Sequence, residues 1–261
     1  MPGQVAIYSY TTNLMKKRNE DYLLGFHSIL EAINAGKTID KVLIKKGLRG
    51  ELFQECFRLI RHNNIPFQYV PSEKLNRISR TNHQGVIALV SAVDYFELTH
   101  LLPEVYEAGK EPFFLILDGI TDIRNFGAIA RSAESAGVDA IVLGKKNAAS
   151  VNAEAVKISA GALTRIPVCR VTNIQESIKY LQESGLKIVG ASEKTSEIYF
   201  TCQLTGPLGL VMGGEDKGLS DGSLKQVDTL VKIPMLGNIS SLNVSVAAGI
   251  LLFEVVRQRL K

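Results

Sequence analysis

Five polar side chains, Asn125, Arg131, Glu215, Ser241 and Asn243, stand at junctions between apolar runs and helices, where α/β proteins place their chemistry. The first junction is LDGITDIRNFGAIARSAESAG, residues 117–137. An apolar run ends at Asp118, a polar loop follows, and the spacing predicts a helix from about Asn125 to Gly137. Helical side chains lean toward the N-terminus, so the long Arg131 can return its guanidinium toward that loop. The bland alternative is an Arg131–Glu134 surface pair with Asn125 as a cap. The second junction is LVMGGEDKGLSDG, residues 210–222. Gly213 and Gly214 let the chain turn sharply and let a ligand approach the backbone. Gly213 and Gly218 have P-loop spacing, but Leu219 and Ser220 follow where Lys and Ser/Thr are required. Nucleotide triphosphate binding is thereby excluded. Glu215 is then either a loop carboxylate in water or a ligand of a polar site.

The third junction is IPMLGNISSLNVSVAAGILLFEVVRQRL, residues 233–260. Val244, Ala248, Leu251, Leu252 and Val255 form one apolar helical stripe, while Asn238, Ser240, Ser241, Asn243 and Ser245 crowd its start. Ser240 or Ser241 can cap this helix, and its first-turn amides offer donors to an anion or a polar ligand. Ser241 and Ser245 then share a face at i and i+4. A cap explains one hydroxyl; a ligand at the helix mouth explains the set.

Such junctions need a scaffold. FFLILD, AIVLG, IPVCRV, KIVGAS, LGLVMG and TLVKIP are short apolar runs separated by helical segments. Strands buried on both faces read this way, so residues 112–261 should hold a mostly parallel sheet between helices. Ahead of them lies a smaller α/β unit, residues 21–94. There Phe26, Ile29, Leu30 and Ile33 mark a helix ended by Gly36, and KVLIKK, IPFQYV and GVIALVSAV read as strands. Leu52, Cys56, Leu59 and Ile60 predict the inner face of a second helix. Residues 1–20 read as a loose basic extension with Lys16, Lys17 and Arg18, and residues 95–111 as a linker closed by Pro112.

Charge divides along the same boundary. Residues 1–94 carry 13 Lys and Arg against 8 Asp and Glu, and residues 95–261 carry 17 against 18, giving +5 and −1. A basic front end on a neutral body suggests a module that grips a polyanion. No apolar run is long enough to cross a bilayer and no signal peptide is visible. Cys56, Cys169 and Cys202 form no CxxC pair, which fits a reducing cytoplasm. His27, His62, His83 and His100 make no metal-binding spacing, so no metal is expected.

Taken in order, NFGAIARSAESAG, LVMGGEDKGLS and IPMLGNISSLNVSVAAGILLFE resemble the three motifs of the SpoU family of RNA ribose 2′-O-methyltransferases, within the SPOUT class. The basic front unit, HQGVIALV at 83–90 and the terminal VRQR are also similar to the bacterial 23S rRNA guanosine-2′-O-methyltransferases. The resemblance covers residues 22–261. It implies S-adenosylmethionine as cofactor and a deep trefoil knot in the C-terminal SPOUT domain; knots are so rare that the resemblance alone carries this expectation. It further implies a catalytic set of Asn125, Arg131, Glu215, Ser241 and Asn243. By the same resemblance, cofactor contacts are expected at Gly213, Gly214, Gly218, Ile233, Met235 and Leu242. A small α/β RNA-binding domain like those of ribosomal RNA binders is implied for residues 21–94. So is a homodimer joined through the C-terminal helix, Ser241–Leu260, with the partner's motif-one loop beside the site. One departure stands out: Arg124 occupies the place where such enzymes usually carry Pro, which puts the loop's conformation in question.

Methyl transfer to a ribose hydroxyl is an in-line displacement, so oxygen, carbon and sulfur must be aligned and the hydroxyl must lose its proton. A guanidinium is a poor base, so Arg131 either stabilises the developing alkoxide or grips the neighbouring phosphate. Glu215 either receives the proton or orients Arg131. rRNA is the expected substrate. A tRNA substrate and a non-catalytic RNA-binding protein are the rival readings, and the intact five-residue set argues against the latter. A nucleotide-dependent oxidoreductase fails because GxGxxG is absent.

Overall fold

The computed structural model of the chain describes residues 22–215 and 217–260. The basic extension expected at 1–20 lies outside the described residues. The chain divides into two compact units, one holding residues up to Val93 with Ser150–Ala153, the other Asp94–Ala149 with the remainder from Glu154.

In the first unit the strands are β1 (Tyr22–Leu24), β2 (Ile39–Lys45), β3 (Phe67–Val70) and β4 (Val86–Val90), in the order β1-β4-β2-β3. Strand β4 runs antiparallel to both its neighbours, and β2 pairs parallel with β3. The alternation of β2 sorts its side chains: Val42 and Ile44 meet helices α1 (Phe26–Asn34) and α2 (Glu51–His62). Leu43 meets Leu75 of α3 (Ser72–Ile78) on the opposite face. Helix α2 turns slightly from the expected register. It buries Cys56 and Ile60 and packs Phe53 and Phe57 beside them, while Leu52 is exposed.

The second unit is a seven-stranded sheet, every pairing parallel: β5 (Tyr95–Phe96), β6 (Phe113–Asp118), β7 (Ala140–Gly144), β8 (Val168–Val171), β9 (Lys187–Ala191), β10 (Leu208–Gly213) and β11 (Thr229–Val231). All six apolar runs are strands. The order is β11-β9-β10-β6-β7-β8-β5. Central β6 is buried from Phe113 to Leu117, as a strand covered on both faces must be.

Residues 95–111 are not a bare linker. They form edge strand β5 and helix α4 (Leu98–Glu107), whose Leu98, Leu101, Leu102 and Val105 join the large sheet's core. The remaining helices are α5 (Ile123–Ser135), α6 (Ala153–Ile158), α7 (Ile174–Glu183), α8 (Asp221–Gln226) and α9 (Val244–Arg259). No helix among the described residues is long and apolar enough to cross a membrane.

The terminal VRQR is a structural clasp. Arg259 donates to Gly206 O at 2.6 Å and its guanidinium lies over the Phe113 ring. Gln258 accepts from Leu204 N–H and donates to Cys202 O, while Arg257 holds buried Glu254 through both carboxylate oxygens. Helix α9 is thereby tied to the 202–206 strap ahead of β10.

Candidate active site

Because the large sheet is parallel, its strands all end on one edge. The chain runs outward from β6 through β7 to β8, then fills the other side with β9, β10 and β11. Open sheets hold ligands at such a reversal, here between β6 and β10.

Asp118 ends β6, and Asp122 caps α5 by accepting the Asn125 N–H at 2.9 Å. The helix thus starts at Ile123, two residues before the expected start, and Asn125 is not its cap. Arg124 sits exposed in a first turn that an aspartate starts without help from proline. Nor does Arg131 pair with Glu134, which meets Arg165 at 3.8 Å instead.

The loop after β10 doubles back on itself. Gly218 N–H donates to Gly214 O at 2.8 Å, and Gly218 holds φ +64°. A Cβ on Gly213 would overlap the backbone of Gly218 and Leu219, and one on Gly214 would lie 2.7 Å from Gly119 O. The protein's own chain thus packs closely against both glycines on the side where a Cβ would stand.

The third element corrects the cap as well. Helix α9 begins at Val244, and Asn243 caps it, neither Ser240 nor Ser241. Asn243 Oδ1 accepts the Ser245 N–H at 2.9 Å and the Ser245 Oγ–H at 2.6 Å. Its Nδ2 donates to Glu215 Oε1 at 2.9 Å and to Asn125 Oδ1 at 3.0 Å. A backbone N–H can only donate, so the oxygen must face Ser245 and the nitrogen must face the carboxylate. All four hydrogen-bonding positions of one amide are used, and the three junctions meet on it. Ser241 precedes the helix and is exposed, so it shares no helical face with Ser245.

Beside this network lies a cavity of about 1050 Å³. Glu215, Ser241 and Asn243 line it, as do Gly213, Gly214, Gly218, Ile233, Met235 and Leu242. Asn125 is joined to the cavity only through Asn243, and Arg131 stands exposed on α5 outside it. Ser192, Glu193 and Lys194, after β9, line the cavity without having been anticipated. The polar run that closes KIVGASEK is the same kind of signal as the other junctions. No cysteine is among the residues that line this cavity, and burial pushes the Cys169 thiol up to about 12 and the Cys56 thiol up to about 11.

The family model described as SpoU rRNA Methylase matches residues 112–253, a stretch containing the whole site. The chain belongs to the SpoU rRNA methylase family. A second model, RNA 2′-O ribose methyltransferase substrate binding, matches residues 22–96. Among curated SpoU relatives, YacO of Bacillus subtilis (strain 168), assigned to the TrmH family of tRNA/rRNA methyltransferases, is 36% identical over 242 residues. That alignment covers 93% of this chain and 97% of YacO. Of solved structures, an AdoMet-bound rRNA methyltransferase from Sinorhizobium meliloti matches with TM-score 0.59 and 25% identity, over 92% of this chain and 88% of that one. The SpoU methyltransferase AviRb from Streptomyces viridochromogenes, in complex with AdoMet, matches with TM-score 0.57 and 26% identity, over 92% and 90%.

Proposed function

We propose that this SpoU protein transfers a methyl group from S-adenosylmethionine to the ribose 2′-hydroxyl of a guanosine in 23S rRNA. One observation carries the reading: Asn243 joins Glu215 and Asn125 at the mouth of a large cavity. The cavity suits the cofactor by its donor set. Ile233, Met235 and Leu242 offer apolar walls for an adenine, and Ser192, Glu193 and Lys194 offer partners for the polar end. Relatives named as tRNA/rRNA and rRNA methyltransferases support an RNA substrate, as does the substrate-binding match over 22–96.

Bound S-adenosylmethionine supplies an electrophilic sulfonium methyl. In this reading Glu215, held through Oε1 by Asn243 and lining the cavity, would take the proton from the 2′-hydroxyl. The Asn243 amide keeps that carboxylate in one orientation before substrate arrives. With its Oδ1 turned toward Asn243, Asn125 retains its amide nitrogen as a donor toward the RNA side. Arg131, exposed on α5 outside the cavity, would grip the phosphate beside the target ribose, where its planar fork could give two hydrogen bonds.

A homodimer and a cytoplasmic setting belong to the same reading. Helix α9 buries Ala248, Leu251, Leu252 and Val255 yet leaves Val246 and Phe253 about half exposed, 51% and 49%, on a second apolar face. Labelled methyl transfer tests the substrate. Unmodified 23S rRNA should take the label and yield 2′-O-methylguanosine on digestion. Label confined to tRNA would reassign the substrate; label in neither would refute the activity.

A further inference from the structure

The cavity occupies only half of the sheet edge. Its residues follow β9, β10 and β11, and none comes from the loops after β7 or β8. On the other half the loop after β7, Lys145–Ala149, is held in one shape. Lys145 N–H donates to Val171 O and Ala149 N–H donates to Ile120 O, each at 2.8 Å. Arg170 donates to Ala149 O at 2.8 Å and to Gly144 O at 3.4 Å, and its guanidinium lies 5.3 Å from the Tyr95 ring centroid. Asn147 completes the turn at φ +52°, a conformation asparagine tolerates better than most residues.

What this braced loop presents is positive charge. Residues 119–131 and 144–149 carry Arg124, Arg131, Lys145 and Lys146 against a single acid, Asp122, in a chain half whose net charge is −1. Asp122 is engaged as the cap of α5, and Asp118 accepts the Ser220 N–H at 2.9 Å. Elsewhere in this unit Lys110, Arg165, Lys179 and Arg257 have carboxylate partners. Among the described residues, Lys145, Lys146, Arg124 and Arg131 have none, nor do Lys157, Lys187, Lys194, Lys225 and Lys232; what sets the four apart is that they gather on residues 119–131 and 144–149. The bond from Ala149 to Ile120 ties the lysine loop to the motif-one loop, one strand spacing from β6.

We infer that the carboxyl edge is divided at β6, with S-adenosylmethionine over β9, β10 and β11 and the RNA backbone over β6 and β7, where Lys145 and Lys146 hold its phosphates. The inference rests on the proposed RNA methyl transfer and deepens it. On this assignment a ribose whose hydroxyl meets the sulfonium methyl at the β6/β10 boundary approaches from the half the cofactor leaves open. Each lysine that neutralises a phosphate releases counterions, so its loss lowers both affinity and salt dependence.

The test uses the full chain with in vitro transcribed 23S rRNA and bulk tRNA. Binding is measured at several salt concentrations for the unsubstituted protein, Lys145→Ala/Lys146→Ala and Lys145→Arg/Lys146→Arg. The alanine pair should bind the accepted RNA about tenfold more weakly, with the slope of log K against log salt reduced by roughly 1.4 to 1.8. Its S-adenosylmethionine affinity by calorimetry should be unchanged, and the arginine pair should behave as the unsubstituted protein. An alanine pair with normal RNA affinity and slope overturns the assignment. So does one that loses the cofactor, which would put the loop in the other half. An unsubstituted protein that methylates neither RNA refutes the proposed function itself, and this assignment with it.

Discussion

Asn243 has two separable duties, capping α9 and holding Glu215 and Asn125. Asn243→Ser should keep the cap, since serine serves as well there, but cannot reach both partners. Its melting temperature should stay near that of the unsubstituted protein while turnover falls on the order of 100-fold, as for loss of a preorganised donor. Asn243→Ala should add a stability loss of about 1 kcal/mol. Thermal melts beside single-turnover assays separate the two; equal turnover losses with a normal melt in both variants would remove the cap from this account. Arg131 is the complementary case, exposed and outside the cavity. Arg131→Ala should abolish methyl transfer with S-adenosylmethionine affinity nearly intact. Arg131→Lys should rescue poorly, because an ammonium lacks the planar fork. A lysine variant with near-normal turnover would show that only charge is needed.

Among the elements, the 213–218 turn is the least tolerant. The overlap facing a Cβ on Gly213 is with backbone atoms, so no rotamer change relieves it. Gly213→Ala should cost about 3 kcal/mol, the upper part of the overpacking range, and displace Glu215 from Asn243. Denaturant titration and cofactor calorimetry read the two effects. Normal values in both would mean that β10 and the turn shift apart without consequence.

For the whole molecule, the core places the working boundary ahead of α4. A fragment of residues 94–261 should fold and bind S-adenosylmethionine. One starting at 112 loses Leu98, Leu101, Leu102 and Val105 from the sheet's core and should be unstable or aggregate. Circular dichroism and calorimetry on the two fragments decide this, and equal stability would return residues 95–111 to the role of linker. Assembly is tested by light scattering at assay concentration. Val246→Glu/Phe253→Glu should convert a dimer to a monomer and lose activity if the partner completes the RNA side. A fully active monomer would overturn both the dimer and the shared site.

The apolar runs carried the strands by themselves, because a strand buried on both faces must be apolar throughout; FFLILD could scarcely be anything else. Polar residues at the ends of LVMGG and before VSVAAGILL marked the site for a related reason, since polar groups at the mouth of a buried element need partners. Which partners they find is a tertiary matter. Ser240 and Ser241 were the expected caps, but Asn243 caps the helix and also reaches Glu215 and Asn125 across 28 and 118 residues of chain. Periodicity carries no information at that separation. The glycines, the Ser192–Lys194 loop and the place of α4 were decided the same way: by which backbone segments the β9-β10-β6 order brings together, a property of the assembled sheet and not of any local stretch.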